Sequence, residues 1–373
     1  MKGLQPEKIK IMLVAGARPN FMKIAPLIKA INSRNKQKNI RPRIKATLVH
    51  TGQHYDHNMS DIFFKELGIP EPDINLGIGS GSHAEQTARI MLAFEPVCLK
   101  EKPDWVVVVG DVNSTLACSV VASKLGIKVA HVEAGLRSFD RTMPEEINRL
   151  VTDALADLLF TPSVDANINL KKEGVPAAKI KLVGNIMIDA LVSRLQQAEK
   201  SPLPHRLNIR PGQFIYVTLH RPSNVDRPEV LSAIMKKLGR ISKKIPVVFP
   251  VHPRTRKMLK KISFRPEAYS QLILIEPVGY TDSLWLAKYA RLVLTDSGGL
   301  QEETTYFKTP CLTLRPNTER PVTIKIGTNK LTNLKTMEAD INDILDGKIK
   351  RGKIPRYWDG RTAERIIKYL VAG

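Results

Sequence analysis

The sequence predicts an α/β protein with two doubly wound, Rossmann-like parallel-sheet domains in series. Three observations predict this fold: a length of 373 residues, an alternation of strand-like and helix-like segments, and one proline-rich break in that alternation. A single hydrophobic core rarely organises so many residues, so two domains are expected. Because ligands of open α/β sheets bind beyond the carboxyl ends of the strands, we expect the active site in the cleft between the domains.

The first half of the chain alternates β-branched runs with helix-like stretches, which favours parallel strands buried on both faces. The predicted strands are Ile9–Ala15, Ile44–His50, Trp105–Val109, Lys128–Val132, Leu158–Thr161 and Lys179–Val183. The predicted helices are Phe21–Ser33, Asn58–Leu67, His83–Lys100, Ser114–Leu125, Glu145–Ala156 and Val164–Glu173. This N-terminal domain is expected to cover residues 1–198.

Leu195–Gly212 interrupts the alternation with three prolines and mixed charge, which is typical of an interdomain linker. The strands predicted after it are Phe214–Leu219, Pro246–Pro250, Leu272–Ile275, Leu292–Thr295 and Cys311–Leu314. The helices predicted there are Pro228–Ser242, Thr281–Tyr289 and Leu300–Phe307. This C-terminal domain is expected to cover residues 199–358, and residues 359–373 contain a last amphipathic helix, Thr362–Val371.

The composition indicates a soluble globular protein, with 43% hydrophobic and 25% charged residues. No apolar stretch reaches the length of a membrane span, so no membrane partner is expected. The three cysteines lie far apart, which argues against a disulfide framework or a zinc site and favours a reducing compartment. We therefore expect a cytoplasmic protein.

The net charge of +22 is unusual. The basic residues are dispersed, and only 6% of residues are aromatic, which offers little for stacking on bases. A solvated basic surface is the favoured interpretation, and attraction of an anionic substrate is the second. A nucleic-acid partner is not expected.

The ends of the first two strands carry polar residues suited to an anionic ligand. Arg18 follows a glycine turn at a helix start, and Lys23 lies about one turn further on. Gln53 stands in the polar loop after the second strand, where side chains commonly line a pocket. His54 and His57 in the same loop could bind a metal, but no third ligand is near in sequence, so we predict no metal.

Three carboxylates follow successive elements at the same predicted edge: Asp111, Glu133, and either Glu145 or Glu146. Singly, such acids are most often helix caps or first-turn residues that favour the helix dipole. Together at one rim, carboxylates in a partly buried cleft can have separated pKa values and divide acid and base roles. The sequence therefore predicts proton-transfer chemistry in the first domain.

The strand ends of the second domain favour binding of a nucleotide. His220 and His252 each end a strand, where a histidine can donate a proton or bind phosphate. A helix begins at Ser297-Gly298-Gly299, whose free N–H groups can hold a diphosphate. Glu303 lies further along that helix, where a carboxylate can bind both hydroxyls of a ribose. Arg320 belongs to a polar loop near the same rim.

Seven segments, in order, resemble the UDP-N-acetylglucosamine 2-epimerase family: GARPNFMKIAPL, GDVNSTLA, HVEAGLRS, MPEEINR, TLHRPSNVD, TDSGGLQEE and NTERP. The resemblance runs from about Ile11 to Leu331. It implies the GT-B fold, with the final helix crossing back onto the N-terminal domain, and a homodimer. It also implies interconversion of UDP-N-acetylglucosamine and UDP-N-acetylmannosamine by elimination of UDP and re-addition, without a metal or nicotinamide cofactor.

The resemblance also assigns roles to individual residues. Asp111, Glu133, Glu145 and His220 match catalytic positions of the family. UDP-binding positions are matched by Arg18, Ser297 and Glu303, and Lys23 matches the lysine of the first motif. Within the carboxylates, Asp111 is our choice for the first base.

The sequence departs from the family pattern at three places. Asn20 stands where the first motif usually has an acid, and Val112-Asn113-Ser114-Thr115 stands where a run of threonines usually follows the aspartate. Residues 79–82 lack the arginine found in bacterial members activated by a second substrate molecule. Three alternatives stay open. The chain could be a hydrolysing epimerase that releases UDP and N-acetylmannosamine, an epimerase of a UDP-diacetamido-uronic acid, or a GT-B glycosyltransferase.

Overall fold

The computed structural model describes residues 7–37, 39–53 and 69–373, without the side chain of Arg18. The chain forms two compact units, and each is described by itself. Unit 1 comprises the chain up to Ala190 together with Arg356–Gly373, and unit 2 comprises Leu191–Pro355. The sequence placed the corresponding boundaries at residues 198 and 358.

Unit 1 contains a parallel sheet with strand order β3-β2-β1-β4-β5-β6-β7 among the described residues. The valines of the central strand are fully buried, which is why its run is continuous rather than alternating. The strands are β1 Lys8–Ala15, β2 Arg43–His50, β3 Ile74–Asn75, β4 Trp105–Val109, β5 Lys128–Val132, β6 Leu158–Thr161 and β7 Ile180–Leu182.

The helices of unit 1 connect these strands in the order that the sequence predicted. The predicted helix Asn58–Leu67 lies outside the described residues. The helices up to the unit boundary are α1 Arg18–Lys36, α2 His83–Glu101, α3 Asn113–Lys124, α4 Pro144–Leu155, α5 Val164–Lys172 and α6 Ile186–Ala198, with a short 3-10 turn at Ala177–Lys179.

Unit 2 repeats the architecture with strand order β10-β9-β8-β11-β12-β13. Its strands are β8 Ile215–Thr218, β9 Val247–Pro250, β10 Leu272–Ile275, β11 Leu292–Thr295, β12 Cys311–Leu314 and β13 Asn329–Thr332. Its helices are α7 Leu203–Arg206, α8 Pro222–Val225, α9 Pro228–Ile241, α10 Pro253–Lys261, α11 Tyr280–Tyr289, α12 Gly298–Phe307, α13 Pro321–Lys325 and α14 Met337–Leu345, with a 3-10 turn at Pro266–Ala268.

The segment predicted as a linker is structured. Helix α6 continues through Ala198, and α7 follows within Leu195–Gly212. Leu203 and Ile209 from this segment are buried in a hydrophobic cluster of unit 2. Two of its three prolines, Pro202 and Pro204, stand at the start of α7, where proline is compatible with helix geometry, so they did not mark a free linker.

The last helix, α15 Thr362–Ala372, belongs to unit 1 and packs against α1. The buried carboxylate of Asp189 accepts hydrogen bonds from the first backbone N–H groups of this helix, at 3.0 Å from Thr362 N and 2.8 Å from Ala363 N. The indole of Trp358 donates to the Pro162 carbonyl at 2.9 Å. These contacts fix the end of the chain to unit 1. No described helix is both long and apolar enough to cross a membrane.

Candidate functional site

A cavity of about 320 Å3 opens in unit 1 at the amino-terminal ends of three neighbouring helices, α2, α3 and α4. Most of its lining side chains are neutral amides or acids. The lining residues are Gln53, Ser80, Gly81, His83, Gln86, Asp111, Val112, Asn113, Pro144, Glu145 and Asn148. The arrangement follows from the fold, because the helices of a parallel sheet begin at the strands' carboxyl ends.

Asp111 follows β4 and lies half-buried at this cavity. Its Oδ2 forms an ion pair with Arg149 Nη1 at 2.5 Å. Its backbone carbonyl accepts a hydrogen bond from the Asn148 amide at 2.9 Å. Both contacts come from α4, so this helix fixes the position of the acid.

The two adjacent acids at the start of α4 have different environments. Glu145 is exposed and lines the cavity with Asp111. Glu146 is only 2% exposed, and its carboxylate accepts bonds from the backbone N–H groups of Ser138 and Phe139, both at 3.0 Å. Glu145 therefore has access to a ligand, and Glu146 holds the loop after β5.

Glu133 is buried directly after β5, with a left-handed backbone conformation at φ 75°. Non-glycine residues rarely adopt this conformation, and they often do so at functional sites. Lys23 Nζ lies 2.5 Å from its Oε2. Lys23 also lies against Gly110, where a Cβ atom would come within 2.7 Å of Nζ. The lysine predicted to bind an anion therefore already carries a carboxylate partner.

Asn20, which stands where the first motif of the family usually has an acid, stabilises the turn before α1. The side-chain oxygen of Asn20 accepts hydrogen bonds from Gly16 N at 3.0 Å and Ala17 N at 2.9 Å. Its amide donates to the Val109 carbonyl at 3.0 Å. A neutral side chain thus ties the turn that carries Arg18 to the end of β4.

Gln53 is buried beneath the cavity rather than projecting freely into it. Its amide oxygen accepts hydrogen bonds from Ser114 N at 3.1 Å and Ser114 Oγ at 2.7 Å. This leaves the amide nitrogen as the group that could donate to a ligand.

In unit 2, α12 begins at Gly298, directly after Ser297. The guanidinium of Arg320 lies against this helix start, since a Cβ atom on Gly298 would come within 2.6 Å of Arg320 Nη1. Arg320 is held by ion pairs with Glu302, at 2.8 Å, and with Glu319. Cationic and N–H donor groups therefore meet at the predicted diphosphate position.

His220 and His252 lie side by side, with ring centroids 6.0 Å apart. His220 Nδ1 lies 3.1 Å from Asp296 Oδ1, and Asp296 is completely buried. Although burial opposes it, the bonds from His220 and Asn224 lower the pKa of Asp296. Burial, followed by the charge of His220, lowers the pKa of His252. Asp296 thus orients His220 and leaves Nε2 for a ligand.

Glu303 is buried within the second turn of α12. Burial, with the neighbouring Glu302 charge, raises the pKa of Glu303 to about 8. A carboxyl group held without a cation in this way is available to hydroxyl groups of a ligand.

The sequence profile described as UDP-N-acetylglucosamine 2-epimerase matches residues 36–371. This chain belongs to the UDP-N-acetylglucosamine 2-epimerase family. A UDP-N-acetylglucosamine 2-epimerase of Methanocaldococcus jannaschii is 43% identical over 378 residues, covering 98% of this chain and 100% of the relative. The crystal structure of the M. jannaschii epimerase with UDP-GlcNAc and UDP gives a TM-score of 0.85 at 44% identity, covering 98% and 100% of the two chains. This likeness confirms the GT-B fold.

Another relative of this epimerase-family chain acts on a different sugar. A UDP-2,3-diacetamido-2,3-dideoxy-D-glucuronate 2-epimerase of Pseudomonas aeruginosa is 43% identical over 366 residues, covering 97% of this chain and 99% of the relative. Sequence identity alone therefore does not separate the two sugars.

Sequence reasoning did not single out several residues at this epimerase-family site. Asn148 and Arg149 belong to the MPEEINR segment and follow Glu145 by three and four positions. This spacing places them on the same helix face as Glu145. Asp296 stood directly after a predicted strand. Asn113 stood in the GDVNSTLA segment, whereas the polar residues of α2, His83 and Gln86, carried no such signal.

No three His, Cys, Asp or Glu side chains come together as a metal site in the described ranges. His54 and His57, the pair considered for a metal, lie outside those ranges.

Proposed function

We propose that this protein is a non-hydrolysing UDP-N-acetylglucosamine 2-epimerase. The observation that carries the proposal is the placement of Asp111 and Glu145 on one cavity of unit 1. Lys23, which pairs with the buried Glu133, lies against Gly110, the residue before Asp111. Membership of the family and the named M. jannaschii relative support the choice of substrate.

The reaction needs a base, a leaving-group site and a proton donor. Asp111 takes the C2 proton while the C1–O bond to UDP breaks, which gives a glycal. UDP then adds back at C1, and Glu133 or Glu145 returns a proton to the other face of C2. Separate carboxylates suit this chemistry because the proton leaves and returns on opposite faces.

Unit 2 supplies the nucleotide contacts in this proposal. The N–H groups of Ser297–Gly299 and the guanidinium of Arg320 bind the diphosphate. His220, oriented by Asp296, stabilises the leaving phosphate oxygen. Glu303 accepts hydrogen bonds from the ribose.

NMR spectroscopy in deuterated water tests the proposal. The purified protein, incubated with UDP-N-acetylglucosamine, should give UDP-N-acetylmannosamine with deuterium at C2. Release of UDP and free N-acetylmannosamine would instead identify a hydrolysing epimerase. No exchange at C2 would contradict epimerase activity on this sugar.

The diacetamido-uronic acid nucleotide is the second candidate substrate, because the P. aeruginosa relative is as similar as the M. jannaschii one. Its uronate carboxylate would need a cation, and the described residues that line the cavity include no lysine or arginine. Arg149 nearby is already paired with Asp111 and Glu146. We therefore favour the uncharged N-acetyl sugar, and parallel assays with both nucleotides decide between them.

We also propose a homodimer in the cytoplasm. The cysteines are free and buried, as in proteins of reducing compartments. The helices α2 and α4 of unit 1, which both pack against α3, expose apolar side chains. These are Leu92 at 73%, Leu99 at 57%, Ile147 at 40% and Val151 at 36% exposure. A second copy of unit 1 is the occupant we assign to this surface, which we call the α2–α4 face.

A further inference from the structure

We propose that Arg149 is a positioning residue that fixes the carboxylate of Asp111 for proton transfer. The inference rests on the proposed function, because it takes Asp111 as the base at C2. Arg149 itself is 2% exposed and does not line the cavity, so it would act through the acid.

The guanidinium of Arg149 joins two carboxylates. Nη1 lies 2.5 Å from Asp111 Oδ2, and Nη2 lies 2.6 Å from Glu146 Oε2. Nε adds a second bond to Glu146 Oε2 at 3.0 Å. Because the guanidinium is planar and rigid, bonds on the Glu146 side set the direction in which Nη1 points.

Glu146 is a fixed anchor for this arrangement. Ser138 N, Ser138 Oγ and Phe139 N all donate to its carboxylate, at 3.0, 3.1 and 3.0 Å. Although burial opposes ionisation, the bonds from Ser138 and Arg149 lower the pKa of Glu146. The loop after β5 therefore holds Glu146, Glu146 holds Arg149, and Arg149 holds Asp111.

The geometry also assigns the two oxygens of Asp111. Oδ2 is occupied by Arg149, whereas Oδ1 has no hydrogen bond or ion pair to any described side chain. Oδ1 is thus the atom left for the C2 proton. Asn148 holds the backbone of the same residue, so successive positions of α4 fix Asp111 on the helix that carries Glu145.

Arg149→Gln and Arg149→Lys test the inference. We expect Arg149→Gln to lower kcat by about 10²-fold at nearly unchanged KM, the loss that a misplacement of about 1 Å can cause. Deuterium incorporation at C2 should fall in parallel. Arg149→Lys keeps a cation between the carboxylates. Its kcat should be at least about tenfold higher than that of Arg149→Gln.

Arg137→Gln is the matched control, since Arg137 is also 2% exposed and pairs with Asp153 and Glu173. It should lower thermal stability but keep kcat per folded molecule. If Arg149→Gln does not fold, the double variant Arg149→Gln/Glu146→Gln removes the unpaired buried charge, and its kcat should still be low.

Two results would overturn the inference: a folded Arg149→Gln protein with wild-type kcat, or an equal loss of kcat in Arg137→Gln. Wild-type protein without exchange at C2 would overturn the proposed function, and the inference with it.

Discussion

The two units hold their functional carboxylates in opposite ways. In unit 1, Glu133 is paired with Lys23 and Asp111 with Arg149, each at 2.5 Å. In unit 2, Glu303 lies buried in α12 beside a second acid, and burial raises its pKa to about 8. The acids of unit 1 are positioned by opposite charge, whereas Glu303 is positioned by packing.

This difference suggests a division of labour. Acids fixed by cations at the edge of a cavity suit proton transfer, and a buried acid without a cation suits recognition of hydroxyl groups. Damage to the paired acids of unit 1 should therefore appear in turnover, and damage to Glu303 or to the start of α12 in nucleotide affinity.

The largest expected effect is that of Asp111→Asn in unit 1. Loss of the base should lower kcat by about 10²–10⁴-fold, the usual contribution of general acid–base catalysis. UDP affinity, measured by titration calorimetry, should change little because the nucleotide contacts belong to unit 2. Asp157→Asn, a change at a half-exposed acid elsewhere in unit 1, is the control. Turnover close to wild type in Asp111→Asn would remove Asp111 from the chemistry.

The complementary test is Gly298→Ala in unit 2. The new Cβ would come within 2.6 Å of Arg320 Nη1 and displace the guanidinium from the helix start. We expect UDP to bind about tenfold more weakly, in line with the loss of one charge-assisted hydrogen bond.

Gly299→Ala is the matched control for that change. A Cβ at Gly299 meets only Ser297 Oγ, at 4.0 Å, so Arg320 stays in place. A smaller loss of affinity in Gly299→Ala supports the role of Arg320. Equal losses would mean that the ligand itself approaches both glycines, and that Arg320 is not the cause.

The sequence predicted the two sheets because their strands are local, β-branched and bounded by turns. It did not predict α10, where Thr255 and Leu259 are the buried residues of an otherwise strongly basic helix. Nor did it predict β13, whose residues Asn329–Thr332 contain no β-branched apolar side chain and depend on pairing with β12. These elements are determined by tertiary packing, which local patterns do not record.

The residues of the candidate site, like the strands and helices, were predicted only in part. The rule that ligands bind at strand ends located Asp111 and Glu133. The sequence alone could not choose between Glu145 and Glu146, because neighbouring helix residues point about 100° apart and packing decides which one is buried. Lys23 lies on α1, distant in sequence from its partner Glu133, and Arg149 lies within α4 rather than at a strand end. The strand-end rule therefore could not predict either ion pair.

A third prediction concerns pH and Glu303. The pKa of Glu303 in the folded protein, about 8, lies above the ordinary glutamate pKa of 4.5, so unfolding releases a proton. The contribution of Glu303 to the free energy of unfolding therefore falls as the pH rises from about 4.5 to 8, and it stays low above pH 8. Between pH 6 and 8 the loss is on the order of 2 kcal/mol, because the slope is about 1.4 kcal/mol per pH unit and halves at the folded pKa.

Glu303→Gln removes this titration. Thermal unfolding should show that the variant is more stable relative to wild type at pH 8.5 than at pH 6. UDP affinity of the wild type should rise over the same range, because ribose hydroxyls donate to the ionised form, and the variant should lose that rise. Equal pH profiles for both proteins would contradict the assignment of Glu303 as a cation-free buried acid.

Substitution on the α2–α4 face should have the smallest effect on turnover and a clear effect on the oligomeric state. Leu92→Glu places a charge on the exposed apolar stripe of unit 1 and should convert the dimer to a monomer in sedimentation experiments. Ile326→Glu, at a residue of unit 2 that is 42% exposed, is the matched control and should leave the dimer intact. A monomeric wild type would remove the proposed dimer, and a dimeric Leu92→Glu protein would move the interface away from this face.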